Sequence, residues 1–99
     1  MYYRVLRVKM KPDSIEESIK IVEESTIPFL RDKKGWKDFE ILFDSETNEL
    51  IALVRWASKE DAIAVTQDGF AEKQGDKFSH LVSEEPTIRI LEQLRYYSK

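Results

Sequence analysis

The chain has 99 residues, a net charge of −3, 41% hydrophobic residues and no cysteine. That bounds it to one domain spanning 1–99, without a disulfide frame or thiolate chemistry. The mildly acidic balance excludes the basic footprint of a nucleic-acid binder, and no apolar run is long enough to span a bilayer.

Tyr2 to Met10 reads as a strand rather than a signal peptide, which places the protein in the cytoplasm. Tyr2, Leu6, Val8 and Met10 share one parity with Arg4; Tyr3, Val5, Arg7 and Lys9 share the other. Pro12 ends the strand because proline cannot donate to a ladder. Ser14-Ile-Glu-Glu17 has the form of a capping box, and a helix is expected from about Ile15 to Arg31. Its apolar stripe is expected to be Ile15, Ile19, Val22, Thr26, Phe29 and Leu30. Pro28 should bend or restart this helix, and Gly35 should close it in a left-handed turn.

Trp36 to Trp56 reads as a β-hairpin about the loop Ser45-Glu-Thr-Asn48. Phe39, Ile41 and Phe43 alternate with Asp38, Glu40 and Leu42, and Leu50, Ala52, Val54 and Trp56 alternate with Ile51, Leu53 and Arg55. Pairing Asp44 with Glu49 puts Phe43 opposite Leu50, Ile41 opposite Ala52, Phe39 opposite Val54 and Asp38 opposite Arg55. A slip of one residue would break that agreement, so the pattern selects the register. The other face carries Leu42, Ile51 and Leu53 among Asp38, Glu40 and Arg55, and so should itself be partly covered.

Ser58 caps a second helix over about Lys59 to Gln67, which stops at Asp68-Gly69. A helical piece from Phe70 to Val82 follows, weakened by Gly75, and Thr87 to Tyr97 is the last strand. The order β-α-β-β-α-β predicts an α+β, ferredoxin-like domain: a four-stranded antiparallel sheet with helices on one face. The mixed face is most simply covered by a second copy, giving a homodimeric barrel.

Helix, Ile27-Pro-Phe-Leu30, Gly35-Trp36 opening a strand, Phe39-Glu-Ile41, and Val54-Arg-Trp-Ala-Ser-Lys-Glu-Asp-Ala62 together resemble the antibiotic-biosynthesis-monooxygenase type of dimeric α+β barrel. Trp56, Ser58 and Glu60 carry the most specific part of the likeness, which spans nearly the whole chain. The resemblance implies a cofactor-independent monooxygenase acting on an aromatic or quinone-like small molecule. The haem-degrading members of that family use an Asn in the first strand, a Trp on the second helix and a His after it. This chain has no Asn in that strand, Val65 and Thr66 near the Trp position, and Gln74 near the His position, which argues against haem degradation.

His80, the only histidine, is a candidate general base because its ordinary pKa lies near neutrality; a surface role is the preferred reading. Arg55 is the candidate for anion stabilisation. Arg7, Asp38, Glu40 and Arg89 are candidates for a ligand-binding set around a lumen, although cross-strand or intersubunit ion pairs explain them more simply. Tyr97 is the aromatic expected nearest a cavity mouth. No metal or cofactor is expected: one His, no Cys, no clustered acidic loop, no phosphate loop and no dinucleotide fingerprint. The alternatives to an enzyme are a non-catalytic ligand-binding or stress-related protein of the same fold, and a structural dimer whose lumen is filled by side chains.

Overall fold

A computed structural model describes residues 1–99. Its elements are β1 (Tyr2–Lys9), α1 (Ile15–Ile21), a π turn (Val22–Thr26), α2 (Ile27–Leu30), β2 (Trp36–Asp44), β3 (Glu49–Trp56), α3 (Lys59–Gln67), α4 (Phe70–Phe78), a 3₁₀ turn (Ser79–Leu81) and β4 (Thr87–Glu92). The four strands form one antiparallel sheet in the order β2-β3-β1-β4, the ferredoxin-like arrangement.

The hairpin register is the one the alternation selects: Asp44 faces Glu49, Phe43 Leu50, Ile41 Ala52, Phe39 Val54 and Asp38 Arg55. One irregularity lies between Trp36 and Asp38, where Lys37 is the extra residue. Such a bulge reverses the parity of what precedes it. Trp36 therefore turns to the same face as Phe39 and lies opposite Trp56.

All the helices cover that one face. Val8, Met10, Leu50, Ala52 and Leu81 form one core cluster, packed by Ile15 and Ile21 from the first helix. Leu30, Val54, Trp56, Ala62 and Val65 form the other, with Trp36, Phe39, Phe70 and Ile90 against it. Trp56 is 1% exposed; burying a side chain of that size contributes roughly 4–6 kcal/mol by area.

The first helix departs from its sequence reading in three ways. Ser14 makes no side-chain cap bond. Its hydroxyl instead donates to the Lys11 carbonyl at 2.6 Å, so no capping box forms. The buried line is Ser14, Ser18, Val22, Thr26 and Leu30, while Ile19 and Phe29 are exposed. Small hydroxylated residues let the helix approach the sheet closely, and Ser18 satisfies its own hydroxyl on the Ser14 carbonyl at 3.0 Å. Last, the helix widens into a π turn just before Pro28, where the Ile27 N–H donates to the Val22 carbonyl. A proline ring would collide with the carbonyl four residues earlier in a regular helix, and the wider turn accommodates it.

Ser58 caps α3 as read, its hydroxyl accepting from the Asp61 N–H at 3.1 Å. Gly35 has φ +82°, and a Cβ there would lie 2.0 Å from Asp61 Oδ2. Both conditions demand glycine where α3 starts beside β2. The last strand ends at Glu92, five residues before the expected Tyr97. The Gln93 N–H donates to the Met1 carbonyl at 2.9 Å, and residues 93–99 form no strand. Leu94, Tyr96 and Tyr97 are 73%, 76% and 84% exposed.

Candidate functional site

The uncovered face of the sheet can be written as rows running β2-β3-β1-β4: Asp38, Arg55, Tyr3, Leu91; Glu40, Leu53, Val5, Arg89; and Leu42, Ile51, Arg7, Thr87. Charged and apolar groups are mixed across it, as the sequence suggested. Arg55 donates to Asp38 Oδ2 through Nε at 2.8 Å and through a terminal nitrogen at 2.5 Å. These hydrogen bonds, and the carboxylate charge behind them, raise the guanidinium pKa further above its ordinary value. Arg7 meets Glu49 at 3.3 Å. Tyr3, Asp38, Phe39, Glu40, Leu53 and Arg55 line an open depression of about 310 Å³.

The remaining sequence candidates are dispersed. Glu40 and Arg89 are exposed and lie in one row, separated by Leu53 and Val5. Tyr97 projects from the tail after β4. His80 is in the 3₁₀ turn, exposed, with Nε2 2.5 Å from Glu17 Oε2. It therefore stands on the helix side of the sheet, opposite to Arg55. Within one protomer these two do not converge on a common substrate. No group of three or more His, Cys, Asp or Glu side chains is placed to hold a metal ion.

A different set lies on the helix side, at the end of the sheet where the bulge turns Trp36 inward. Trp36 faces Trp56 across the hairpin, and Trp56 faces Tyr2 of β1. Arg4, two residues on, is the diagonal neighbour of Trp56, a separation of roughly 7–8 Å in an antiparallel pair. The Nε of Arg4 and the Nε1 of both tryptophans are buried and make no hydrogen bond. Arg4 also meets no carboxylate, and burial lowers its pKa from the ordinary value. A guanidinium stays charged even so.

Three unsatisfied buried donors at neighbouring positions are unusual, because buried polar groups are nearly always paired. They lie at nearby register positions on three adjacent strands, on the face the helices cover. What such donors accept is an oxygen atom bearing full or partial negative charge. One hint of it lies in the residue pattern: Arg4 shares its parity with Tyr2, Leu6, Val8 and Met10. The bulge at Lys37 carried no such signal, so the convergence of Trp36 on Trp56 was not legible.

No protein-family model and no curated protein matches the chain. Solved structures do. A monooxygenase from the ActVA-Orf6 gene of Streptomyces coelicolor, in complex with nanaomycin D, superposes with TM-score 0.85 at 10% identity, covering 99% of this chain and 91% of that one. A candidate antibiotic biosynthesis monooxygenase of Nitrosomonas europaea gives 0.76 at 18% identity, covering 96% and 100%. A conserved protein of Methanosarcina mazei gives 0.71 at 20%, covering 91% and 90%. Identities this low establish the fold: the chain has the ferredoxin-like α+β fold of antibiotic-biosynthesis-monooxygenase-like proteins.

Proposed function

We propose that this protein is a homodimeric, cofactor-independent monooxygenase of a planar aromatic or quinone-like small molecule. In this reading Arg4, Trp36 and Trp56 hold the substrate's oxyanion. The observation that carries it is the cluster of three buried donors without acceptors. The fold shared with a monooxygenase crystallised with nanaomycin D supports the same class of chemistry.

The chemistry follows from the donor set. A phenol or enol bound beside Arg4 becomes more acidic, because the guanidinium favours its anion. The substrate is thus held as the anion, with its oxygen accepting from Arg4 and the indole N–H groups. The anion is electron-rich enough to react with dioxygen, the oxidant. A ring CH₂ becomes a C=O; one oxygen atom enters the product, and the other leaves as water with the two hydrogens. The substrate supplies the electrons, so the protein positions the substrate, stabilises its charge and excludes water.

The uncovered sheet face supports the dimer. Leu42 and Leu91 are 45% and 51% exposed beside Leu53, Ile51 and Tyr3, and a second copy would cover them. A second reading, a non-catalytic carrier binding its ligand in the lumen, draws support from the depression at Asp38, Glu40 and Arg55.

The test is oxygen uptake with an anthrone as substrate, using wild type, Arg4→Met and Trp56→Phe under ¹⁸O₂. The expected result is one labelled oxygen in the quinone product and a rate reduced about tenfold or more in each variant. Uptake no faster than without protein, or rates unaltered by both substitutions, would overturn the reading.

A further inference from the structure

On the outer surface of the helical layer, α2 and α4 frame an open groove of about 300 Å³. Its floor is aromatic. Phe29 and Phe70 meet edge to face, with centroids 5.6 Å apart at 61°, and Phe29 is 53% exposed. Gln74 is buried between them and the first helix, its side-chain carbonyl accepting from Thr26 at 2.9 Å and Ser25 at 3.3 Å. The rim is cationic: Lys33, Lys73 and Lys77 line the groove with one acid, Asp68.

That acid is already committed. Asp68 accepts from the Phe70 N–H and from Lys33 Nζ, each at 2.9 Å. Lys73 and Lys77 are one helical turn apart on α4; neither meets a carboxylate, and Lys77 donates to the Ser25 hydroxyl. Like charges at that spacing repel by a few tenths of a kcal/mol. Lys77 Nζ stands 6.0 Å from the centre of the Phe29 ring and Lys33 Nζ 5.2 Å from that of Phe70. Ammonium groups are thus held over the two aromatic rings, in a protein whose net charge is −3. An acidic protein has no general reason to set two lysines without carboxylate partners beside an exposed phenylalanine.

We infer that this groove is a binding site for a planar aromatic anion, an aryl carboxylate or sulfonate. The ring packs on the exposed Phe29 beside the edge-to-face Phe70, and the acid group lies between Lys73 and Lys77. A simple carboxylate meets only the rim, and a neutral arene only the floor, so each binds more weakly than the molecule that combines them. The site does not rest on the oxygenase reading: it is on the surface and shares no residue with the Arg4, Trp36 and Trp56 set. The competing explanation is a helix clamp, in which Phe29, Phe70 and Gln74 only join α2 to α4.

The experiment is a titration of the ¹⁵N-labelled protein with 2-naphthoate, followed by amide chemical shifts, with 2-naphthylmethanol and acetate as comparators. Saturable shifts are expected at residues 27–33 and 68–78, with roughly millimolar affinity that weakens as salt is raised. The double variant Lys73→Gln/Lys77→Gln and the single variant Phe29→Ala should each weaken it about tenfold. Arg4→Met should leave it unchanged. Equal affinity for naphthylmethanol, binding unaffected by the lysine substitutions, or shifts confined to the sheet around Arg4 would each overturn the site. The same dissociation constants come from folded, dispersed spectra, so a misfolded variant is recognised before it is compared.

Discussion

On the uncovered face of the sheet, Arg55 meets Asp38 and Arg7 meets Glu49 across strand boundaries; on the helix-covered face, Arg4 meets no carboxylate at all. The contrast runs against solvation. Exposed charges lose little without a partner, yet Arg55 and Arg7 are paired, though Glu40 and Arg89 are not; the partly buried Arg4 loses more, and it has no carboxylate partner. Pairing on the open face is what a surface facing a second copy needs, because closure of the proposed dimer would remove water from both sheets. Lack of pairing on the covered face is what a binding position needs, because an internal carboxylate would compete with the ligand.

The comparison breaks first at the open face. Leu91→Asp should raise the dimer dissociation constant by about a hundredfold or more, since it buries an unmatched charge in an apolar contact. Sedimentation velocity across a concentration series measures it. A wild type already monomeric at high concentration would remove the reason for the paired charges.

The next test is Arg4→Met, a residue of similar length without the charge. It should stabilise the fold by about 1–2 kcal/mol in urea denaturation, after allowing for the solvent that reaches part of the side chain. A loss of stability would mean that the guanidinium finds an acceptor in the free protein, and the covered face would then resemble the open one.

The smallest effect concerns Asp68, a paired acid on the helical surface. The Phe70 N–H, and then Lys33, hold its pKa below the ordinary 3.8. A depressed carboxylate contributes stability that is present above its unfolded pKa and is lost as pH falls through the folded value. Wild type should therefore lose part of its melting temperature below about pH 4 that Asp68→Asn never had. Coincident melting profiles for the two proteins at acid pH would show that this surface pairing adds nothing.

Much of the fold was legible in the residues. Strict alternation in the hairpin selected its register, down to Asp38 facing Arg55, because a one-residue slip would have inverted every side chain. Ser58 and Gly35 announced a helix start and a left-handed turn through chemistry that acts within a few residues. The first helix was less legible: its apolar period pointed to Ile19 and Phe29 along with Val22, Thr26 and Leu30, but the buried line took the small residues Ser14 and Ser18 in place of Ile19 and Phe29. His80 could not be matched to Glu17, 63 residues away, by any local pattern.

Sequence alone therefore determined the element order, the hairpin register and the mixed character of the second sheet face, since each rests on periodicity and short-range backbone chemistry. Tertiary structure decided what those elements bring together. The bulge at Lys37 turns Trp36 onto Trp56, β1 sets Arg4 beside them, and α2 and α4 place Phe29 and Phe70 under three lysines. These neighbours come from separate strands and helices, so only the packed chain fixes their distances.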